Sequence, residues 1–282
     1  MTDTKIETAP TLRRARNRWP VLSLAGAAVF GAWVFLALFG DLLAPYDPGE
    51  FVDSWDSLGP MSATYPLGTD YLGRDVLSRI MSGAKYTVGL PMLTAALALI
   101  LGAVLGILAT LVRPAVDTAL SWFMDTMNSL PSTIFALVAV AGFGSSLPVL
   151  IVVITVLYVP SAYRNIRSAA INISRMDYVE AARVRGEGTA HLIRREILPN
   201  IVPNMLTHFG ITFIYIALLL SGLSFLGLGI QPPEADWGAL VAENMVGLSY
   251  AASAVLAPAI CLLSLTIAMT LMVDAISHGK DG

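Results

Sequence analysis

The chain has 282 residues, of which 56% are hydrophobic and only 13% charged, and its mean hydropathy is +0.70. Because globular proteins carry about 25% charged residues, this composition excludes a protein built around a large soluble domain and indicates an integral membrane protein. The formal net charge of −3 decides little, and the single cysteine, Cys261, can form no intrachain disulfide.

The amino-terminal part of the chain is typical of a basic segment followed by a membrane span. Residues 1–20 are polar and contain the basic residues Lys5, Arg13, Arg14, Arg16 and Arg18. Residues 21–40 are uncharged, a stretch longer than the apolar core of about 7–15 residues in a cleaved signal peptide, and no small-residue cleavage site follows. We therefore predict a cytoplasmic segment (1–20) and an uncleaved first transmembrane helix (21–43).

The next segment, residues 44–85, is polar and acidic. Counted from the end of the first span, acidic residues outnumber basic ones: Asp41, Asp47, Glu50, Asp53, Asp56, Asp70 and Asp75 stand against Arg74, Arg79 and Lys85. Prolines at positions 45, 48, 60 and 66 predict an extended, loop-like chain. We predict that this segment is a periplasmic loop.

Two uncharged stretches in the middle of the chain predict three spans. Residues 86–112 provide one, because their length is enough to cross a hydrocarbon core of about 30 Å. Residues 126–163 are too many for one span, so we predict two spans separated by the turn-rich residues 142–148.

Two features of these spans bear on packing. Gly102 and Gly106 have the GxxxG spacing that allows close approach of another helix, and the sequence leaves open whether that helix belongs to a second copy. The span before the break must begin near Asp117, which places Asp125 at or just inside the membrane. We expect Asp125 to have a structural or water-facing role.

Residues 178–199 form an island of charge between two long apolar tracts, so they cannot lie within the bilayer. A first short helix is predicted over about residues 175–185, and Gly186 ends it, because glycine adopts the left-handed conformation without a Cβ clash. Thr189 begins a second helix, which is predicted to end near Pro199, because proline disfavours helical geometry in the residue before it.

The carboxy-terminal third contains two more predicted spans, residues 205–228 and roughly 251–273. Between them, residues 223–238 read Leu-Ser-Phe-Leu-Gly-Leu-Gly-Ile-Gln-Pro-Pro-Glu-Ala-Asp-Trp-Gly, and Pro232 and Pro233 prevent the helix from continuing. The predicted fold class is therefore an all-α polytopic membrane protein with six transmembrane helices.

Three segments resemble one protein family. The first is an EAA pattern whose residues, called the EAA residues below, are Glu180, Ala181, Ala182, Gly186, Ile197, Leu198 and Pro199. It resembles the cytoplasmic EAA loop of the membrane permease subunits of bacterial ABC importers, in which alanine usually stands at the position of Glu187. Residues 66–79 (Pro-Leu-Gly-Thr-Asp-Tyr-Leu-Gly-Arg-Asp-Val-Leu-Ser-Arg) and residues 223–238 resemble signatures of the branch that transports dipeptides, oligopeptides and nickel.

The resemblance implies a coupling helix pair and a set of partner subunits. In this family the two helices of the loop dock into a groove on an ATPase subunit, so the EAA residues are expected to couple ATP hydrolysis to transport. The resemblance further implies a second homologous permease subunit in a heterodimer, two ATP-binding subunits and an extracytoplasmic solute-binding protein, with membrane lipid around the spans. Short peptides are the first expectation for the substrate, while nickel or its chelates, opines and other peptide-like solutes stay open.

The distribution of basic residues predicts the orientation. With the amino terminus inside, the segments predicted to be cytoplasmic hold 14 of the 17 Lys and Arg residues. The positive-inside rule therefore predicts both termini and the charged island in the cytoplasm of a bacterium, with the spans in its inner membrane. The predicted organisation is a core permease domain (86–275) with five spans and a coupling loop (164–204), followed by a cytoplasmic tail (276–282).

The sequence contains no motif for chemistry of its own. GxxxxGK, HExxH and GxSxG motifs are absent, and the histidines are scattered, with His208 expected to be packed or interfacial. We therefore predict no enzyme activity, no catalytic residue, no cofactor, no metal site and no nucleic-acid partner; energy must come from a partner subunit. The alternative is a self-sufficient secondary carrier, which would place ionisable residues near the middle of its spans. The predicted span interiors are nearly free of charge.

Overall fold

The computed structural model describes residues 19–51, 57–110, 113–249 and 252–278. Within these ranges the chain is built from helices and contains no β-strand, so the all-α prediction is confirmed. Several charges on which the sequence analysis drew lie outside the described residues: Lys5, Arg13, Arg14, Arg16, Arg18, Asp53, Asp56 and Lys280.

Most helices follow one another with short connections, and the segment between α1 and α2 is the long exception. In chain order the α-helices are α1 (Trp19–Leu43), α2 (Val76–Ala84), α3 (Leu90–Ala109), α4 (Pro114–Asn128), α5 (Ser132–Phe143), α6 (Leu147–Ser174), α7 (Asp177–Val184), α8 (Thr189–His191), α9 (Leu198–Phe225), α10 (Trp237–Asn244) and α11 (Ala252–His278). One π-helical turn (Lys85–Gly89) joins α2 to α3, and a second (Leu192–Ile197) joins α8 to α9.

Five helical stretches of the described chain are long and apolar enough to cross a membrane: Leu22–Leu43, Val76–Ala109, Leu147–Ser174, Thr189–Phe225 and Ser253–Ser277. The pair formed by α4 and α5 passes the same test only when taken together, and these two helices are bent by 84° at the break between them. Counted as one span, the pair brings the number to the six predicted, and this third span in chain order is discontinuous. The break predicted at residues 142–148 is confirmed, because α5 ends at Phe143 and α6 begins at Leu147.

The second span begins earlier than predicted. Helix α2 starts at Val76, inside the segment predicted to be extended, and the chain stays helical to Ala109. Asp75 caps this helix: its carboxylate accepts hydrogen bonds from the Ser78 backbone N–H at 2.8 Å and from the Ser78 hydroxyl at 2.6 Å. The prolines behind the loop prediction all precede this cap, so they do not oppose the helix.

The predicted end of the second helix of the charged island is wrong. Residues 189–225 form one 37-residue helical stretch that continues through Pro199 into the fifth span. Pro199 is the second residue of α9, directly after the π-helical turn Leu192–Ile197. Proline is tolerated in the first turn of an α-helix, where its missing N–H would have no partner, and the change from π to α geometry gives Pro199 that position.

The two GxxxG glycines bring α3 against α6 within the same chain. A Cβ atom added to Gly102 would lie 2.5 Å from the Ala162 Cβ, and one added to Gly106 would lie 3.0 Å from the Tyr163 carbonyl oxygen. Glycine is needed at both positions because the backbone of α6 occupies the space that a side chain would take. The partner of this GxxxG face is therefore helix α6.

A cluster of four charges, of which three are buried and Glu243 is half-buried, connects α2 and the segment before it to α10. The Arg79 Nη1 atom lies 2.7 Å from the Asp70 carboxylate and 2.6 Å from that of Glu243. Arg74 contacts the same two acids, at 2.7 and 3.1 Å. The two arginines and two carboxylates balance each other, which offsets the large cost of burying charge.

Trp237 makes a second connection between the same two regions. Its indole Nε1–H donates to the Ile80 carbonyl oxygen at 2.9 Å, and its backbone N–H donates to the Thr87 hydroxyl at 3.0 Å. The side chain is completely buried. Residues 66–79 and 223–238, which carry two of the three family signatures, thus belong to one structural unit at the same end of the helices.

Candidate functional site

The charged island folds as the short helix α7 followed by a tight turn. Gly186 has φ +82°, the left-handed conformation that glycine adopts without strain. The Gly186 N–H donates to the Arg183 carbonyl at 2.9 Å, and the Glu187 N–H donates to the Ala182 carbonyl at 3.2 Å. These bonds satisfy carbonyls at the end of α7, so the prediction that Gly186 ends the first helix is confirmed.

The structure divides the EAA residues into an exposed and a buried group. The exposed group is Glu180, Ala181, Gly186 and Pro199, and Leu198 is half-buried. Ala182 and Ile197 are 0% and 1% exposed, so their side chains contact only the rest of this chain. The two adjacent alanines of the pattern therefore face in different directions.

The buried group connects α7 to the long helices. Val179, Ala182 and Leu192 form a small apolar cluster, and Ile173 at the end of α6 packs against it. Ile173 also packs against a second cluster, made of Ala103, Ile107, Ile166, Ala170, Ile197 and Ile201. Since these residues lie on α3, on α6 and around the start of α9, side-chain packing is continuous from α7 to three membrane helices.

The exposed surface of the loop combines basic and apolar side chains. Arg183, Arg185, Arg194 and Arg195 are exposed on it, and Val184 is 84% exposed. An exposed valine between arginines leaves both apolar and charged groups on this surface free to contact another protein. Glu187, at the position where the resembled family usually has alanine, lies 3.8 Å from Arg185 and 3.6 Å from His191, so its carboxylate is engaged within the loop.

A polar groove, not predicted from the sequence, lies between α6 and α9 beside this loop. Its cavity has a volume of about 710 Å³. Its polar side chains recur at helical spacing and are Ser161, Asn165, Ser168 and Asn172 on α6 and Asn200, Asn204 and His208 on α9. The Asn204 Nδ2 atom donates to the Asn165 Oδ1 atom across the groove at 2.9 Å.

The polar groove continues toward the middle of the spans. A second cavity of about 260 Å³ shares Ser161 and His208 with it and extends to Tyr158 and Tyr215. This second cavity also contacts the break between α4 and α5, at Asn128 and neighbouring residues. Irregular backbone within a membrane is tolerated where it is buried in protein or lines a cavity. The break between α4 and α5 lines this second cavity, so it is tolerated there.

Two ion pairs hold α4 against α6 at the edge of the groove. Arg167 donates to both carboxylate oxygens of Asp117, at 2.7 and 2.5 Å. Arg164 donates to Asp125 at 2.8 Å, and both of these side chains are exposed. The Asp125 carboxylate thus pairs with an arginine of the neighbouring helix, in keeping with the structural or water-facing role expected for it.

His208 is buried, as expected of a packed histidine, and its Nε2 atom lies 3.4 Å from the Thr212 hydroxyl.

The sequence contains a pattern that could have predicted the polar residues of the groove on α9. Asn200, Asn204 and His208 are spaced four residues apart at the start of an otherwise apolar span, and this spacing puts them on one helix face.

Comparisons with known proteins agree on one family. The profile described as binding-protein-dependent transport system inner membrane component matches residues 98–281. The di/tripeptide transport system permease protein DppC of Pseudomonas aeruginosa is 34% identical over 255 residues, covering 88% of this chain and 84% of that protein. The peptide transport system permease protein SapC of Escherichia coli is 30% identical over 275 residues, covering 94% of this chain and 92% of that protein.

A glutathione transport permease and a solved transporter extend these likenesses. The glutathione transport system permease protein GsiD of Pectobacterium atrosepticum is 28% identical over 250 residues, covering 88% of this chain and 82% of that protein. A chain of the MetNI methionine ABC transporter in an inward-facing conformation has a similar fold, with a TM-score of 0.59. That match covers 72% of this chain and 95% of the other, at 19% sequence identity.

Proposed function

Because this chain belongs to the family of inner membrane components of binding-protein-dependent transport systems, we propose that it is a permease subunit of an ATP-driven importer of peptides or peptide-like solutes. It supplies half of the translocation path and no chemistry of its own. The peptide assignment is supported by its similarity to the di/tripeptide permease of Pseudomonas aeruginosa.

The observation that carries this function is the continuous packing from the charged loop to the helices around the polar groove. An ATPase subunit contacts the exposed surface of α7, including Glu180, Ala181 and Gly186. Movement of α7 then reaches the long helices through Ala182, Ile173 and Ile197, because close-packed apolar contacts transmit displacement with little compression. ATP hydrolysis is the work of the partner subunits.

The assembly contains a second, homologous permease subunit, two ATP-binding subunits and an extracytoplasmic solute-binding protein. Six spans are few for an enclosed path, and α5 leaves large apolar side chains exposed on the described subunit, Ile134, Val138 and Phe143. This surface fits the second permease or lipid. Both termini and the loop between α6 and α9 face the cytoplasm, with residues 44–85 on the periplasmic side.

The remaining EAA residues, Leu198 and Pro199, lie at the junction of the loop and the fifth span. Pro199 is exposed beside the start of α9, and Leu198 packs against the cluster that contains Ile197. Both therefore lie where the loop becomes a membrane helix, and they set the direction in which that helix leaves the loop.

Co-purification tests the proposal. The tagged chain is extracted from its native membrane in mild detergent, and the proteins that remain bound are identified by mass spectrometry. We expect a second permease and ATP-binding subunits. Recovery of the chain alone or with copies of itself, also after crosslinking in the membrane, would contradict the proposal and favour a self-sufficient secondary carrier, which dependence of uptake on an ion gradient would then test.

A further inference from the structure

We propose that the polar groove between α6 and α9 binds the peptide groups of the solute as it leaves the translocation path. This inference rests on the proposed function, and it adds a site and a ligand chemistry. The groove is bounded by two helices that are linked, through Ile173 and Ile197, to the surface where the ATPase is proposed to act.

Lipid does not cover this groove. Ser161, Asn165, Asn172, Asn200 and Asn204 lie on helices that are otherwise long and apolar enough to cross a membrane. Polar groups without hydrogen-bond partners are costly in hydrocarbon. The groove is therefore filled by water, by a polar solute or by polar groups of a partner subunit, and the test below distinguishes the last two.

Several of the side chains that line the groove are carboxamides. An asparagine carboxamide both donates and accepts hydrogen bonds, and a peptide group offers one N–H donor and one C=O acceptor. The bond between Asn204 and Asn165 uses one donor and one acceptor, which leaves each of these side chains further capacity. Carboxamides on both walls of the groove can therefore bind peptide groups whatever the side chains of the peptide.

The lining of the groove has few groups that bind metal ions. The described residues that line the groove include no carboxylate and no thiol, and their imidazole is that of His208. Nickel is typically bound by several imidazole nitrogens or by thiolates, so this lining favours amide-bearing solutes over nickel. The guanidinium of Arg164, at the edge, is already paired with Asp125 at 2.8 Å.

The size of the groove suits a short peptide. A volume of about 710 Å³ lies within the range of about 300–1,000 Å³ typical of small-molecule sites. Neutral hydrogen bonds are individually weak, with a net value of about 1 kcal/mol each. Weak contacts at several successive asparagines allow a solute to move on, as conduction through a pathway requires.

The test is protection of introduced cysteines by alanine peptides. The chain's own Cys261 is first replaced by Ala, and Asn204→Cys is introduced in that background. Leu206→Cys is the matched control, because Leu206 is exposed on the opposite face of the same helix. Each variant is assembled with its partner subunits in vesicles and allowed to react with a water-soluble thiol reagent. The reaction is run with and without di-, tri- and tetra-alanine, which carry their own label, on the cytoplasmic side.

We expect the Asn204→Cys variant to react and alanine peptides at ten times their dissociation constant to slow its labelling about tenfold. The Leu206→Cys variant should show no peptide effect. Unchanged labelling of the Asn204→Cys variant at every peptide concentration would overturn the inference. Crosslinking of that cysteine to the second permease in all states would also overturn it, by showing that the groove is a subunit interface.

A transport assay with unsubstituted subunits separates this inference from the proposed function. ATP-driven uptake of alanine peptides without protection at position 204 would overturn the groove site and leave the importer function standing. ATP-driven uptake of radioactive nickel in place of all three alanine peptides would overturn the ligand class alone. Absence of any ATP-driven uptake with all subunits present would contradict the proposed function itself.

Discussion

The buried guanidinium of Arg79 and the half-buried carboxylate of Glu243, 164 residues apart in the chain, form an ion pair at 2.6 Å. Arg79 is 3% exposed and also binds Asp70. The pair joins the first helical turn of the second span to α10, the helix that follows the fifth span. Because the pair belongs to a cluster of four charges, we expect a single substitution in it to change the free energy of unfolding strongly.

Replacing Arg79 by Met should lower the free energy of unfolding by about 3–5 kcal/mol, because it leaves Asp70 and Glu243 with one arginine instead of two in a buried site. The measurement is thermal unfolding of the purified subunit in detergent. Lys85→Met is the control: Lys85 lies 3.0 Å from Asp41, both are partly exposed, and such pairs contribute about 0–1 kcal/mol. Equal losses in the two variants would show that burial of the cluster does not govern its contribution.

Gly186→Val should leave membrane insertion intact and uncouple ATP hydrolysis from uptake. A valine at φ +82° is strained by about 1–2 kcal/mol, and the turn relieves the strain by changing the angle at which α7 leaves the loop. Gly188→Val is the matched control, because Gly188 has φ −72° and equally open surroundings. ATPase activity and peptide uptake are measured in the same vesicles, and normal uptake by the Gly186 variant would refute the coupling role.

Ala181→Leu and Ala182→Leu should fail in different ways. At position 182 a larger side chain must enter the contact with Val179 and Leu192, which we expect to cost about 1–3 kcal/mol of stability. At position 181 the added atoms face solvent, so the melting temperature should not change, while affinity for the ATP-binding subunits falls. Pull-down of those subunits together with thermal unfolding distinguishes the two. A stability loss at position 181 would contradict the assigned orientation of α7.

Asp236, the first-turn cap of α10, should make stability depend on pH. Its carboxylate is completely buried and accepts a hydrogen bond from the Ala239 N–H at 3.1 Å. Burial away from water raises the pKa of Asp236 from its ordinary value of 3.8 to about 6. Between these values the folded state holds a proton that the unfolded state has released, so stability falls as pH rises from about 4 to about 6 and then stays constant.

Asp236→Asn should remove this dependence, because the amide does not ionise. The variant is expected to match the parent near pH 4 and to be more stable at pH 7, by at most about 3 kcal/mol. Melting temperatures measured across this pH range provide the test. Parallel curves for the two proteins would mean that the Asp236 carboxylate ionises in the folded state as it does in the unfolded one.

Local signals in the sequence predicted the features that depend on local geometry. Gly186 ends α7 and the residues after Phe143 separate two helices, because glycine-rich turns determine their own backbone conformation. Pro199 misled the prediction, since its effect depends on whether the preceding turn is α-helical or π-helical. Hydrogen bonds join residues four apart in an α-helix and five apart in a π-helix. Residue types alone do not show which of the two a turn adopts.

The parts that sequence reasoning could not supply depend on which helices become neighbours. Arg79 and Glu243 are ordinary charges until the fold brings them together. The sequence analysis counted Arg79 only toward the charge of residues 44–85 and did not single out Glu243. Asn165 and Asn204 lie on α6 and α9, on either side of the charged island and 39 residues apart in the chain, so their hydrogen bond across the groove has no local signature. A helical-face analysis of the fifth span finds Asn204 but not its partner.

The unbroken helix Thr189–Phe225 has a structural consequence. At about 1.5 Å per residue its 37 residues form a helix about 55 Å long. This is longer than the hydrocarbon core of the bilayer, which is about 30 Å thick. Near its far end, a Cβ atom added to Gly238 would lie 2.7 Å from the Ser221 Cα, so α10 rests directly on this helix. The helix that leaves the charged loop is therefore also the helix against which α10, with Glu243 of the charge cluster, packs near its other end.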